Sequence, residues 1–221
     1  MEWNNLNEKL LESYQFRANK HSIENKVLKK RLNINIVLRL ISFLALLYGT
    51  YKLGNINTLY GIFFFAIMFS VFVATVRRHL KLKQLISFTE NLIAVNRQEI
   101  EALRGNISNF DNGEEFIDPG HDYATDLELF GDRNLFQFLN RTTTYSGKNQ
   151  LSNWLLNPLT DKNSIENRQL AVKEMKEEID WRQKFAATGK IVNMNEYDDG
   201  QLISWSKEEH HLPRESFLRL F

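Results

Sequence analysis

Two stretches of the chain lack the alternation of apolar and polar positions that marks a surface helix. Residues 59–76, LYGIFFFAIMFSVFVATV, hold five phenylalanines and no charge. Side chains apolar on every side cannot share one core-facing stripe. Eighteen residues rising about 1.5 Å each make a rod of roughly 27 Å, near the hydrocarbon thickness of a bilayer. Residues 34–51, INIVLRLISFLALLYGTY, are similar but carry Asn35 and Arg39. Arg39 lies near one end, where its stem can run along lipid while its head reaches the interface. Tyr48 and Tyr51 at the other end, with Tyr60 opening the second stretch, suit an interfacial aromatic belt. The intervening KLGNINT (52–58) is short and contains Gly54 and Asn55, as a tight connection requires. The pattern predicts a transmembrane hairpin over 34–76, with spans 34–51 and 59–76.

Polar positions return on either side. In 82–103 the residues Leu82, Ile86, Thr89, Ile93, Asn96, Ile100 and Leu103 alternate spacings of four and three, a heptad seam widened by Leu85 and Leu92. With no Pro or Gly before Gly105, the second span should continue into this helix unbroken. Residues 3–31 carry a looser stripe of Leu6, Leu10, Leu11, Tyr14 and Ala18, expected to pack antiparallel against 82–103. Residues 105–122, rich in Gly, Asn and Asp and containing Pro119, read as a linker.

From Asp126 onward short apolar runs alternate with turn signals. Asp132 is placed to cap a helix carrying Leu135, Phe136, Phe138 and Leu139, which Thr142 to Thr144 interrupt. A second helix is expected from Tyr145 to Leu156, burying Leu151, Trp154 and Leu155 and ending at Asn157-Pro158. A third, capped by Asp161 or Asn163, should cover 164–178 with Ile165, Leu170, Val172 and Met175 on its apolar side. Shorter helices are expected near 180–189 and 196–208, and Pro213 opens a further segment. The chain is thus expected to be all-α: an N-terminal cytoplasmic helix (1–33), the hairpin (34–76), a membrane-proximal amphipathic helix (77–104), the linker (105–122) and a helical segment (123–221).

Charge changes this picture through its placement. The totals are balanced, 28 basic against 27 acidic residues, which argues against diffuse attraction to nucleic acid. Lys26, Lys29, Lys30 and Arg31 precede the first span, and Arg77, Arg78, Lys81 and Lys83 follow the second, while the connection holds only Lys52. By the positive-inside rule both termini face the cytoplasm of an inner, or cytoplasmic, membrane. The first span begins too far from the N-terminus for a cleaved signal peptide. The absence of cysteine removes disulfides, thiolate nucleophiles and cysteine metal sites.

Candidate chemistry gathers in Asn140-Arg141-Thr142-Thr143-Thr144-Tyr145-Ser146-Gly147-Lys148. Asn140 and Asn106 both sit in glycosylation acceptor patterns, but the cytoplasmic topology excludes that modification. Gly147-Lys148 resembles the end of a phosphate loop. The position five residues before Gly147 is Thr142, and Asn149 follows the lysine, so both the first glycine and the magnesium-binding hydroxyl of that motif are missing. Phe88-Thr89-Glu90 lies within an amphipathic helix and is read as coincidence. His121 and Asp122 lack a third metal ligand, and His210-His211 beside Glu208-Glu209 reads as a solvated helix end.

The ordered set Leu135-Phe136, Leu139-Asn140-Arg141-Thr142, Gly147, Trp154-Leu155-Leu156, Pro158-Leu159, Ile165, Arg168-Gln169 and Val172 resembles the helical core, or lever, of the MutS family of DNA mismatch repair ATPases. With a hairpin ahead of it, the chain resembles the membrane-anchored MutS-like proteins of bacteria. The resemblance implies dimerisation, ATP and Mg²⁺ at a Walker A loop, and contact with DNA. No Walker A sequence or mismatch-reading domain occurs here, so no catalytic, cofactor or metal residue carries over. Leu135, Phe136, Asn140, Arg141, Thr142, Gly147, Trp154, Pro158, Arg168 and Gln169 are expected to serve packing and turns. The chain is expected to be the membrane anchor and lever of such an ATPase, with ATP binding and DNA clamping elsewhere in a longer product. The alternative is a non-enzymatic membrane scaffold from a truncated gene.

Overall fold

The computed structural model describes residues 2–192, 201 and 204–207. These are helical or irregular, with no strand among the described residues. Among the described residues the main helices follow in order: α1 (Glu2–Ile56), α2 (Thr58–Leu103), α3 (Leu135–Leu139), α4 (Tyr145–Leu156), α5 (Lys162–Glu177) and α6 (Ile179–Val192), with a 3-10 turn at Glu114–Phe116. They form two units, one of residues 1–109 with 167–191, the other containing 110–166. Helix α5 runs out of the second unit into the first.

The first unit is built on an antiparallel helical hairpin. Helix α1 runs from Glu2 to Ile56, so the expected N-terminal helix and first span are one continuous rod. Helix α2 likewise carries the second apolar stretch into the amphipathic one without a break. The connection is shorter than the seven residues expected. Only Asn57 leaves helical geometry; its side chain accepts the Leu59 N–H at 2.9 Å. Its own N–H still reaches the Leu53 carbonyl at 3.0 Å, which keeps Gly54 and Asn55 helical. The two rods touch at this end because Gly61 has no side chain: a Cβ there would lie 2.9 Å from the Gly54 Cα. The Phe64 ring lies against Gly49 in the same way.

Further along, Phe43 meets Phe72 with ring centroids 5.8 Å apart, Asn25 donates to the Ile86 carbonyl at 3.3 Å, and Lys29 pairs with Glu90 at 2.8 Å. The expected pairing of the N-terminal helix with 82–103 is therefore present. The seam on α2 buries Leu82, Ile86, Thr89, Leu92, Asn96 and Ile100. Leu92 takes the place expected for Ile93, and Leu85 is exposed. On α1, Leu6 and Leu10 are exposed; the buried positions are Ala18, Asn25, Leu28, Asn35, Ser42 and Leu46. Their spacings of seven, three and four continue a heptad seam through the first apolar stretch. Both long helices contain a window long and apolar enough to cross a membrane.

The second unit closes around Ala124, Leu129, Phe130 and Phe136, with Phe116, Tyr123, Leu151, Leu155 and Leu156 packed against them. Residues 110–122 fold into this unit, in contrast to the linker expected over 105–122. Their polar residues make turns: Asp111 accepts the Gly113 N–H at 2.9 Å, Asn112 accepts the Glu114 N–H at 3.2 Å, and Asp118 accepts the Gly120 N–H at 2.9 Å. Gly113 sits at φ +67, and a Cβ on it would strike the Phe136 ring at 2.7 Å. The Phe116 ring then lies 5.7 Å from both Phe130 and Phe136.

Other local expectations shift. Helix α3 begins at Leu135 after Asn134, and Asp132 is not its cap but accepts from the Asn112 side chain at 2.7 Å. Helix α4 has the bounds expected, yet Trp154 is exposed and Ser152 is its buried residue. Helix α5 begins at Lys162, with Asp161 accepting the Ser164 N–H at 2.8 Å, and Leu170 and Val172 face solvent. Most of the helix expected at 196–208, His210-His211 and the segment opened by Pro213 lie outside the described residues.

Candidate functional site

The stretch 140–148 is a turn between α3 and α4, held by its own side chains. Asn140, 3% exposed, donates to the Asp111 carbonyl at 3.1 Å, and its Oδ1 accepts from Thr142 N at 2.9 Å and Thr142 Oγ1 at 2.7 Å. The asparagine thus reproduces a backbone turn with its side chain. The Arg141 guanidinium lies 3.7 Å from the Phe110 ring centroid and donates to the Phe138 and Asn140 carbonyls at 2.9 and 3.0 Å. This closes the carboxyl end of α3 with a charge the helix dipole favours. Thr144 caps α4, its hydroxyl accepting the Gly147 N–H at 3.2 Å. Gly147 allows this approach: a Cβ there would lie 3.0 Å from that hydroxyl.

Lys148 is engaged within the fold. Its Nζ reaches Asp111 at 3.0 Å and Glu115, and stands 5.8 Å over the Phe116 ring. Burial pushes the lysine pKa down, but its bonds to Glu115 and Asp111 outweigh that and leave it above the ordinary value. Burial likewise pushes Asp111 up; the Gly113 N–H and the Lys148 ammonium leave its carboxyl below the usual range. A cation held by two carboxylates is a poor phosphate ligand. The Tyr123 hydroxyl completes the unit, 2.7 Å from the Leu156 carbonyl and 2.9 Å from that of Leu155 at the end of α4.

Of the residues marked by resemblance, Phe136, Asn140 and Arg141 touch the 110–116 segment, and Thr142 and Gly147 brace the adjoining turn. Phe136 is fully buried, and Leu135 opens α3 with its side chain exposed. Trp154 and Pro158 stand on the surface, and Arg168 and Gln169 lie on the part of α5 belonging to the first unit. Sequence reasoning missed Phe110, Asp111, Gly113 and Phe116, the residues this turn grips. The signal available was Asp111-Asn112-Gly113, an Asx-turn sequence between two phenylalanines.

A second arrangement lies in the first unit, where α6 packs on the hairpin away from Asn57. Gln183 and Asn96, 5% and 0% exposed, exchange amide hydrogen bonds at 2.8 and 3.2 Å. Asn96 also donates to the Leu92 carbonyl at 2.8 Å, and Asn91 donates to that of Ala187 at 3.1 Å. Lys190 donates to the Gln98 side chain at 2.6 Å, and Arg17 of α1 pairs with Asp180. Burial beside α2 lowers the Lys190 pKa, opposed in part by Glu99. Asp180 is held below its ordinary value by its bond to Arg17. No group of three or more His, Asp or Glu side chains suited to a metal occurs among the described residues.

Both arrangements define a helical packing module. Residues 124–199 match the family model for MutS domain III. Over 46 residues the chain is 48% identical to the DNA mismatch repair protein MutS of Thermotoga neapolitana, covering 21% of this chain and 6% of that one. It is 32% identical over 105 residues to MutS protein homolog 4 of Saccharomyces cerevisiae, covering 45% of this chain and 12% of the relative. No solved structure matches. Residues 124–199 are thus similar to MutS domain III, and the chain spans a small part of the length of these relatives.

Proposed function

We propose that this chain anchors a MutS-family mismatch-repair-like protein in a bilayer and that its domain III helices act as a lever on that anchor. The observation that carries this is continuity. Helix α2 passes without a break from an uncharged apolar stretch to the segment on which α6 is bonded. The apolar windows of α1 and α2 are only 17% and 6% covered by protein, whereas the core helix of a soluble protein would be mostly covered. Side chains such as Phe63, Ile67 and Leu47 need another apolar environment, which lipid supplies. The basic flanks support a topology with both termini in the cytoplasm of an inner membrane. Nucleotide turnover, with ATP and Mg²⁺, and clamping of DNA belong to parts of such proteins other than these 221 residues. Pairing of two copies through the MutS-like part is the corresponding expectation for assembly.

The lack of cysteine makes topology directly testable. In the full chain, Asn55→Cys should react with a membrane-impermeant maleimide in intact cells, and Ser108→Cys only after lysis. The chain should also resist extraction by alkaline carbonate. Release into the supernatant would refute the anchor, and ATP turnover abolished by Lys148→Ala would refute a purely mechanical role.

A further inference from the structure

Between Glu24 and Glu90 the chain has no acidic residue. The hairpin register set by Lys29 with Glu90, and by Phe43 with Phe72, brings 30–31 of α1 near the level of 83 on α2. Lys30, Arg31, Arg77, Arg78, Lys81 and Lys83 are all exposed, and none has an ion-pair partner among the described residues. Charge pairing resumes with Lys29 and Glu90, where the acids return. From Arg77 to Lys83 the band rises about 9 Å along α2, compared with roughly 5–7 Å for one headgroup layer. Exposed Ile34, Val37 and Leu80 stand among these cations. A phosphate backbone in water offers nothing to such apolar side chains. A bilayer interface accepts both, with stems and apolar groups in the acyl boundary and cationic heads among phosphates.

Resting on the membrane topology proposed above, we propose that this band is a binding surface for anionic phospholipid headgroups of the cytoplasmic leaflet. The adjacent arginines Arg77 and Arg78 supply planar donors for phosphate oxygens, and the lysines supply point charges around them. Opposite charge within the headgroup layer then fixes the depth of the hairpin.

The test is spin-label lipid selectivity of the full chain reconstituted in phosphatidylcholine containing labelled phosphatidylglycerol or labelled phosphatidylcholine. The wild-type chain should prefer phosphatidylglycerol by at least about fivefold, the effect of roughly one interfacial cation. The variant Arg77→Gln/Arg78→Gln/Lys81→Gln/Lys83→Gln should lose at least half of that preference, with Lys30 and Arg31 left to hold the rest, while remaining resistant to carbonate. Equal association of both lipids with a carbonate-resistant wild-type chain overturns this proposal alone. A chain washed off by carbonate overturns it together with the anchor. Loss of the preference in millimolar inorganic phosphate marks a site for free phosphate, and displacement of phosphatidylglycerol by duplex DNA marks a nucleic-acid surface; either result overturns the lipid assignment.

Discussion

Replacing Gln183 with Leu isolates the amide exchange that holds α6 to α2. Asn96 is fully buried, and its Oδ1 accepts from Gln183 Nε2 at 2.8 Å. Its Nδ2 has a second acceptor, the Leu92 carbonyl at 2.8 Å. The substitution therefore orphans one buried acceptor while the donor stays satisfied. A buried polar atom stripped of its partner costs about 1–3 kcal/mol, more than the net worth of an ordinary hydrogen bond. Opening of α6 should thus rise by roughly 5- to 150-fold, read by hydrogen exchange of α6 amides in the reconstituted chain. Asn96→Leu/Gln183→Leu removes both partners and should recover most of the protection, because no orphan remains and two apolar side chains meet. The cycle with Asn96→Leu gives the coupling directly. Additive effects of the two single substitutions, or unchanged exchange in Gln183→Leu, would refute the idea that this pair holds the helix.

Gly113→Ala should destabilise the second unit by at least about 2 kcal/mol, from left-handed strain and the collision with Phe136; a urea midpoint within error of wild type would contradict this. Thr144→Ala removes the α4 cap and should cost about 0.5–2 kcal/mol in the same titration. The native Asp111 pKa lies below its unfolded value, so its stabilisation is present above about pH 4 and lost as pH falls through the native pKa. The native Lys148 pKa lies above its unfolded value, so its contribution is present below about pH 10 and lost as pH rises through the native pKa. Lys148→Met should remove the alkaline limb and only shallow the acid one, where the Gly113 N–H still bonds Asp111, in pH-dependent unfolding of the second unit.

The long helices were legible because their signals are local and repeated. Apolar stretches, unbroken helix formers and a heptad spacing all point to a hairpin, and Asn57 shortens its turn only because a single cap suffices. The turn after α3 was legible by resemblance, but its partner was not. Asp111, Asn112 and Gly113 have the composition of a linker, and only the ring of Phe136 beneath Gly113 shows that the segment is part of a core. The exposed Leu170 and Val172 mislead for the opposite reason, since apolar spacing on a helix does not say whether anything covers it. The pairing of Asn96 with Gln183 spans 87 positions, and neither residue type signals the other.

The placement of that pair bears on how a lever could act. Asn96 stands twenty residues beyond the last position of the apolar stretch on α2, about 30 Å along the helix. Between Arg77 and Leu103 there is no Pro or Gly, so this part of α2 has no intrinsic kink. Asn25, bonded to the Ile86 carbonyl, adds a polar layer that opposes sliding of α1 along α2, the role a buried amide plays in a coiled coil. Arg17 with Asp180 ties α6 to the other rod at the same end. On the proposed function, with both rods bonded to α6 and no Pro or Gly in this part of α2, displacement of α6 would be passed on as tilt of the hairpin instead of being absorbed in a bend. On the proposed topology, that tilt is opposed where the basic band meets the headgroups.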